Sequence, residues 1–159
     1  MIKSFDPLIF GDTQVLIIGT MPSEASLAAG EYYAFRYNAF WPIIGALCGK
    51  KLYTYEQKKQ ALQKMRLGLW DNLQYCRREG SSDSRIRDEI PNDFTALLQV
   101  YPQIKKLLFN GKKSADFFKK YQPVLWREYS HVTMPSTSSA NARLSLEQKT
   151  EIWRQELVL

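Results

Sequence analysis

Four short apolar runs, each closed by turn-forming residues, set the pattern of this chain. The clearest covers residues 14–19, a continuous β-branched stretch of the kind buried on both faces of a parallel sheet. Residues 67–73 form a second run, interrupted by Asp71 and Asn72. Residues 104–109 form a third, ended by Asn110-Gly111, and residues 129–134 a fourth, ended by Pro135. Between the runs the apolar positions change to helical spacing. Residues 38–47 read as a helix with Pro42 in its first turn and Gly49 near its end. Residues 55–65 read as a polar-rich amphipathic helix, and Asp93 can cap a helix over 94–101 that Pro102 stops. Further helices are expected over 114–121 and 146–157, the second opened by Ser145 with Gln148 at capping-box spacing.

Strands alternating with helices predict an α/β fold, a three-layer α/β/α sandwich around a central, mainly parallel four-stranded sheet with right-handed crossovers. No repeat, linker or low-complexity tract divides residues 1–159, which read as one domain. Ligands of such sheets bind beyond the carboxyl ends of the strands. That rule points to the loops after Ile18, Leu69, Phe109 and Met134 without naming a chemistry.

Charge narrows the field of partners. A formal net charge of +6 favours a polyanion, although many basic proteins never bind nucleic acid. Arg77, Arg78, Arg85 and Arg87 fall in one Gly/Ser-containing segment, and Lys105, Lys106, Lys112 and Lys113 flank another loop. Cys48 and Cys76 are too few for a four-cysteine cluster and do not suggest a secreted disulfide scaffold. No His/Cys group stands at ligand spacing, so neither a metal nor another cofactor is expected. Residues 1–10 hold Lys3 and Asp6 and lack the long apolar run of a signal peptide or anchor. No membrane span is expected, and a monomer in a reducing cytoplasm is the simplest expectation.

The loops themselves are unusual. The first strand runs into Gly19-Thr20-Met21-Pro22-Ser23, followed by Glu31-Tyr32-Tyr33 and Asn38-Ala39-Phe40-Trp41-Pro42. Leu69-Trp70-Asp71 and Cys76-Arg77-Arg78-Glu79-Gly80 come next, then Phe109-Asn110-Gly111-Lys112 and Met134-Pro135-Ser136-Thr137-Ser138-Ser139-Ala140-Asn141. Each has a plain structural reading. Asn38 suits a helix cap, Asn110-Gly111 a turn, and Phe40 and Trp41 a helix core; the serines suit a connector into a capped helix. Asp71 and Glu31 are the plausible carboxylates near the strand ends, and Asp71 reads as a structural hydrogen-bonding residue. His131, inside the fourth strand, reads as a packed or edge residue.

Taken in this order, the segments resemble the uracil-DNA glycosylase superfamily and, within it, the hypoxanthine-DNA (deoxyinosine) glycosylase family. The resemblance runs over nearly the whole chain and implies the fold already expected. It further implies a monofunctional hydrolase that cleaves the N-glycosidic bond of a flipped deaminated base, with hypoxanthine the first choice and uracil or xanthine next. DNA carrying such a base is the implied partner, and an abasic site in base excision repair the implied product. By the same resemblance Asn38 is the catalytic or water-positioning residue. Gly19, Thr20, Met21 and Pro22 form the pocket floor, Tyr33 and Phe40 sandwich the base, and Asn110 reads its edge. Ser23, Ser136, Thr137 and Ser138 grip phosphate, while Asn141, Arg143 and Leu144 fill the gap in the duplex.

Three departures stand out: Phe35-Arg36-Tyr37 before the asparagine, Ser139 where proline is usual, and Met134 where the uracil-excising branch carries a catalytic histidine. Apart from Lys112, which follows the Phe109-Asn110-Gly111 turn, no lysine stands in the motifs to form a Schiff base, so no strand-cleaving step is expected. A non-catalytic nucleic-acid-binding module on the same fold is the rival reading.

Overall fold

The computed structural model describes residues 1–157. In chain order, β1 (Ile2–Lys3) precedes β2 (Val15–Gly19), α1 (Glu24–Ala29), α2 (Phe40–Cys48), α3 (Tyr55–Lys64) and β3 (Leu67–Asp71). Then come β4 (Leu73–Arg77), β5 (Arg87–Pro91), α4 (Phe94–Val100) and β6 (Lys106–Asn110). The chain ends with α5 (Lys112–Tyr121), α6 (Pro123–Glu128), β7 (Ser130–Met134) and α7 (Leu146–Leu157).

The main sheet has the order β3-β2-β6-β7, and every neighbouring pair is parallel. Every residue of β2 and β3 is buried, as continuous apolar strands require when both faces are covered. Side-chain alternation then divides the core. Val15, Ile17, Leu67 and Leu69 pack with Phe40, Ile44, Leu62 and Trp153 from α2, α3 and α7. Leu16, Ile18, Leu107 and Phe109 point the other way, onto Phe94, Phe118 and Leu125 from α4, α5 and α6. The result is the α/β/α sandwich expected. Capping is as the sequence indicates: Asp93 accepts from the Ala96 N–H at 3.0 Å, and Ser145 and Gln148 form a reciprocal pair.

The run over 67–73 is not one strand. It stops at Asp71 because Asn72 leaves the sheet: the Asn72 amide donates to the carbonyls of Gly19 and Ser114, both at 2.9 Å. Leu73 then opens β4 in a second, antiparallel sheet of order β1-β4-β5, which lays Leu73 and Cys76 on Met21 and Phe117. Sequence reading missed this sheet because the strand Arg-Asp-Glu-Ile-Pro carries almost no apolar signal. It missed α1 and α6 because six residues are too few to show a period. The carboxyl ends of all four parallel strands open on one edge, and their loops meet there.

Candidate functional site

That edge holds a cavity of about 740 Å³. Gly19, Thr20, Met21, Pro22 and Ser23 line one side, and Ser136, Thr137, Ser138 and Asn141 line another. Tyr33, Asn38, Asp71 and Asn110 complete the inner wall, and Ser81 to Ser84 close it from the loop between β4 and β5.

The floor is set by a strand pair. Gly19 on β2 stands opposite Asp71 on β3, and a Cβ on Gly19 would sit 2.4 Å from Asp71 Oδ1 and 3.1 Å from the Tyr33 hydroxyl. Glycine therefore makes room for the carboxyl. Asp71 is only 4% exposed, and its side chain has no hydrogen-bond partner among the described residues. Burial, reinforced by the neighbouring Asp83 charge and opposed by Arg78, pushes its pKa up to about 7. The Tyr33 phenol is held above its ordinary range, by burial first and by Asp71 second, while a hydrogen bond with Asn110 works the other way. Tyr33 sits at φ +54°, an uncommon conformation for a bulky residue, with its ring stacked on Phe40 at 4.2 Å between centroids.

Asn38 is not the cap of α2: that position is Ala39, which makes no side-chain cap bond, and Asn38 braces the helix start from one residue before it. Its Oδ1 accepts the Phe40 N–H at 2.9 Å, while its Nδ2 has no acceptor among the described residues. One end of the amide is thus fixed and the residue still lines the cavity. The next residue, Ala39, donates its N–H to the Thr137 carbonyl at 2.9 Å, which ties the start of α2 to the loop after β7.

That loop is braced from within. Asn110 Nδ2 donates to Thr137 Oγ1 and Asn110 Oδ1 accepts the Thr137 N–H, both at 2.9 Å. Gly111 follows at φ +101°, where an added Cβ would press on Ser136 at 3.0 Å. Ser136 Oγ accepts the Ser138 N–H, Ser138 Oγ accepts the Ala140 N–H, and Asn141 Nδ2 donates to the Ser136 carbonyl.

Several sequence expectations need correction. Phe40 is fully buried and supports Tyr33 from below, so it offers no face to a base. Thr137 is 1% exposed with its hydroxyl turned to Asn110, so it holds the loop and grips no phosphate. Asn110 spends most of its amide on Thr137, which leaves little of it to read a base edge. Arg143 and Leu144 lie outside the cavity wall, as does Glu31. Asp71, expected to be tied up in hydrogen bonds, is instead the unpaired carboxyl of the floor.

Sequence reasoning also missed the strap formed by the loop after β4. Arg78 Nη2 donates to the Pro22 carbonyl at 2.6 Å and its Nε to the Gly80 carbonyl at 2.9 Å, while Nη1 is buried without a partner. Ser81 Oγ accepts the Glu24 N–H at 2.9 Å. These bonds bring Asp83 to the cavity, where burial raises its pKa against the pull of Arg78 and Thr20. A glycine-and-serine tract beside paired arginines was the available signal. His131 is where expected, packed on Trp126 at 4.0 Å.

Comparison with known proteins agrees with this architecture. Residues 9–156 match the family model described as the uracil DNA glycosylase superfamily. A protein named hypoxanthine DNA glycosylase from Methanosarcina barkeri is 35% identical over 96% of each chain. One of the same name from Methanosarcina acetivorans is 37% identical over 94% of each chain. A solution NMR structure titled as a uracil DNA glycosylase from Methanosarcina acetivorans superposes with a TM-score of 0.80. It is 36% identical and covers 96% of this chain and 94% of that one.

Proposed function

The chain belongs to the uracil DNA glycosylase superfamily, and from that premise we propose that it excises hypoxanthine from DNA by hydrolysis, using Asn38 and Asp71. One observation carries the reading: a free amide end and an unpaired, buried carboxyl line the same cavity, where the four parallel strands end. Both named relatives carry hypoxanthine in their names, which supports that base over uracil or xanthine.

The chemistry follows from what a glycosidic bond in DNA demands. The nucleotide must leave the stack and enter a pocket before its bond can be reached. As the bond breaks, positive charge grows on the sugar and negative charge on the base. Asn38 orients the attacking water; a neutral amide suffices because an oxocarbenium-like centre needs only a weak nucleophile. Its helix-start hydrogen bond holds that amide in place without a rotamer search. Asp71, neutral below about pH 7, gives its proton to the departing purine where negative charge develops, and the proton that the water sheds on joining the sugar returns the carboxyl to its neutral form. Tyr33, braced by Phe40, offers the aromatic surface for the base. Ser136 and Ser138 offer hydroxyls to backbone phosphates at the mouth, whereas the Ser23 hydroxyl is taken up in capping α1. Asn141, the exposed Arg143 and the half-buried Leu144 are the residues proposed to fill the gap left by an extruded nucleotide.

The test is a base panel under single-turnover conditions. Oligonucleotides carrying deoxyinosine, deoxyxanthosine or deoxyuridine are incubated with the protein and then treated with alkali. Strand cleavage fastest at deoxyinosine supports the proposal. Retention of every oligonucleotide without an alkali-labile site would make the chain a binding module.

A further inference from the structure

We propose that a second groove, beside the cavity, binds the unpaired DNA strand that flanks the extruded nucleotide. The groove has a volume of about 630 Å³ and shares Tyr33, Phe35 and Asn38 with the cavity, so the two are continuous. Its other walls come from the start and end of α2 and from the segment leading into α3.

Its chemistry is one-sided. Arg36, Lys50, Lys51 and Lys58 line it, and no carboxylate does. None of these four cations forms an ion pair among the described residues, in contrast to Lys59, Lys106, Lys112 and Lys120 elsewhere on the surface. A solvated helix face normally mixes both signs. Four unpaired cations around a concave surface fit a run of phosphates.

The same groove exposes aromatic rings. Phe35 is 40% exposed and Tyr53 74%, and Tyr37 beside Phe35 is 61% exposed. The Arg36 guanidinium lies 4.5 Å from the centre of the Tyr37 ring, and Lys58 Nζ lies 5.6 Å from that of Trp41. Exposed rings interleaved with cations form the stacking platform and electrostatic channel that proteins use for unpaired strands, because a stacked duplex offers its bases no free face. The stretch Phe35-Arg36-Tyr37, which departs from the family pattern, thereby acquires a task. It extends the base pocket along the strand.

The proposal rests on the glycosylase reading only for the direction from which the strand arrives. Its test is binding, read without any base release. Fluorescence anisotropy is measured with labelled single-stranded deoxyinosine oligonucleotides of about 5 and about 15 nucleotides, across a salt series. The wild-type protein is compared with the double variant Lys50→Glu/Lys51→Glu and with Phe35→Ser/Tyr53→Ser. All four side chains are at the surface, and thermal melts check that each variant folds. The wild type should bind the longer strand at least tenfold more tightly than the shorter one. Each double variant should lose about tenfold of that advantage. The lysine pair should also flatten the dependence of log affinity on log salt by about 1.4, the equivalent of two single-strand phosphates.

Unchanged length advantage and salt slope in both variants would overturn the groove, whatever the catalytic result. Loss confined to a duplex of equal length would overturn the single-strand assignment. Length-dependent loss in a protein that releases no base from any substrate would keep the groove and refute the glycosylase reading instead.

Discussion

Asp71→Asn separates what the buried carboxyl costs the fold from what it does in the cavity. In the native protein the carboxyl keeps its proton to about pH 7, whereas in the unfolded chain it would release it near its ordinary value of 3.8. Between those values the native state binds the extra proton, so stability falls as pH rises and the loss is complete above about pH 7. A displacement of that size corresponds to about 4 kcal/mol, and asparagine, which cannot ionise, should recover most of it. For a chain of this length about 4 kcal/mol is a Tm increase of roughly 10 °C. The variant should therefore melt roughly 10 °C above wild type near pH 8, with the difference shrinking toward zero near pH 4. Circular dichroism melts across that range check the sign and the window together. Activity should move the opposite way, with single-turnover base release falling by about 100-fold and the decline of the wild-type rate above about pH 7 disappearing. A Tm difference that does not change with pH, or a variant less stable than wild type near pH 8, would refute the reasoning, because the carboxyl would then not be held neutral by its surroundings.

Other residues give separate tests. Asn38→Ala should lower base release by at least about 100-fold and leave DNA affinity within about threefold; loss of the helix-start bond should cost about 1 kcal/mol in denaturant melts. A wild-type rate in that variant would leave Asn38 only a brace for the helix start. Gly19→Ala places a methyl 2.4 Å from Asp71 Oδ1, so the floor must shift. It should destabilise the protein by about 1–3 kcal/mol and impair release, and Asp71→Asn should not restore the rate. Asn110→Ala strands the Thr137 N–H and hydroxyl, costing about 1–3 kcal/mol by urea titration while loosening the loop that holds Ser136 and Ser138.

The parallel sheet was legible because its strands are buried on both faces: Val-Leu-Ile-Ile before Gly19 can hardly sit elsewhere in a domain of this size. Cap chemistry was legible for the same local reason, as at Asp93 and Ser145. The loops at the strand ends were located by topology, and the family motifs marked which residues to examine. What could not be read is where side chains point after the chain turns. Asn110 and Thr137 lie 27 positions apart, and nothing local shows that they pair with each other and not with a ligand. Asp71 looked like an interruption of an apolar run, yet its meaning comes from Gly19 across the strand pair, a contact that register alone creates. Phe40 was weighed between stacking and core, and only burial decides such a case. The strap at Ser81 reached the cavity through a bond to Glu24, 57 positions away. In the sequence that segment showed only as a Gly/Ser-containing tract with four arginines.

On the proposed reading this cavity hydrolyses a glycosidic bond and leaves the strand whole. The most direct measurement quantifies free base by chromatography after a single turnover on a deoxyinosine duplex, with the strands resolved before and after alkali. Free hypoxanthine equal in amount to the abasic sites, on a strand that stays uncut until alkali is added, is the predicted result. Strand cutting before alkali, or tight binding with no free base released, would contradict it.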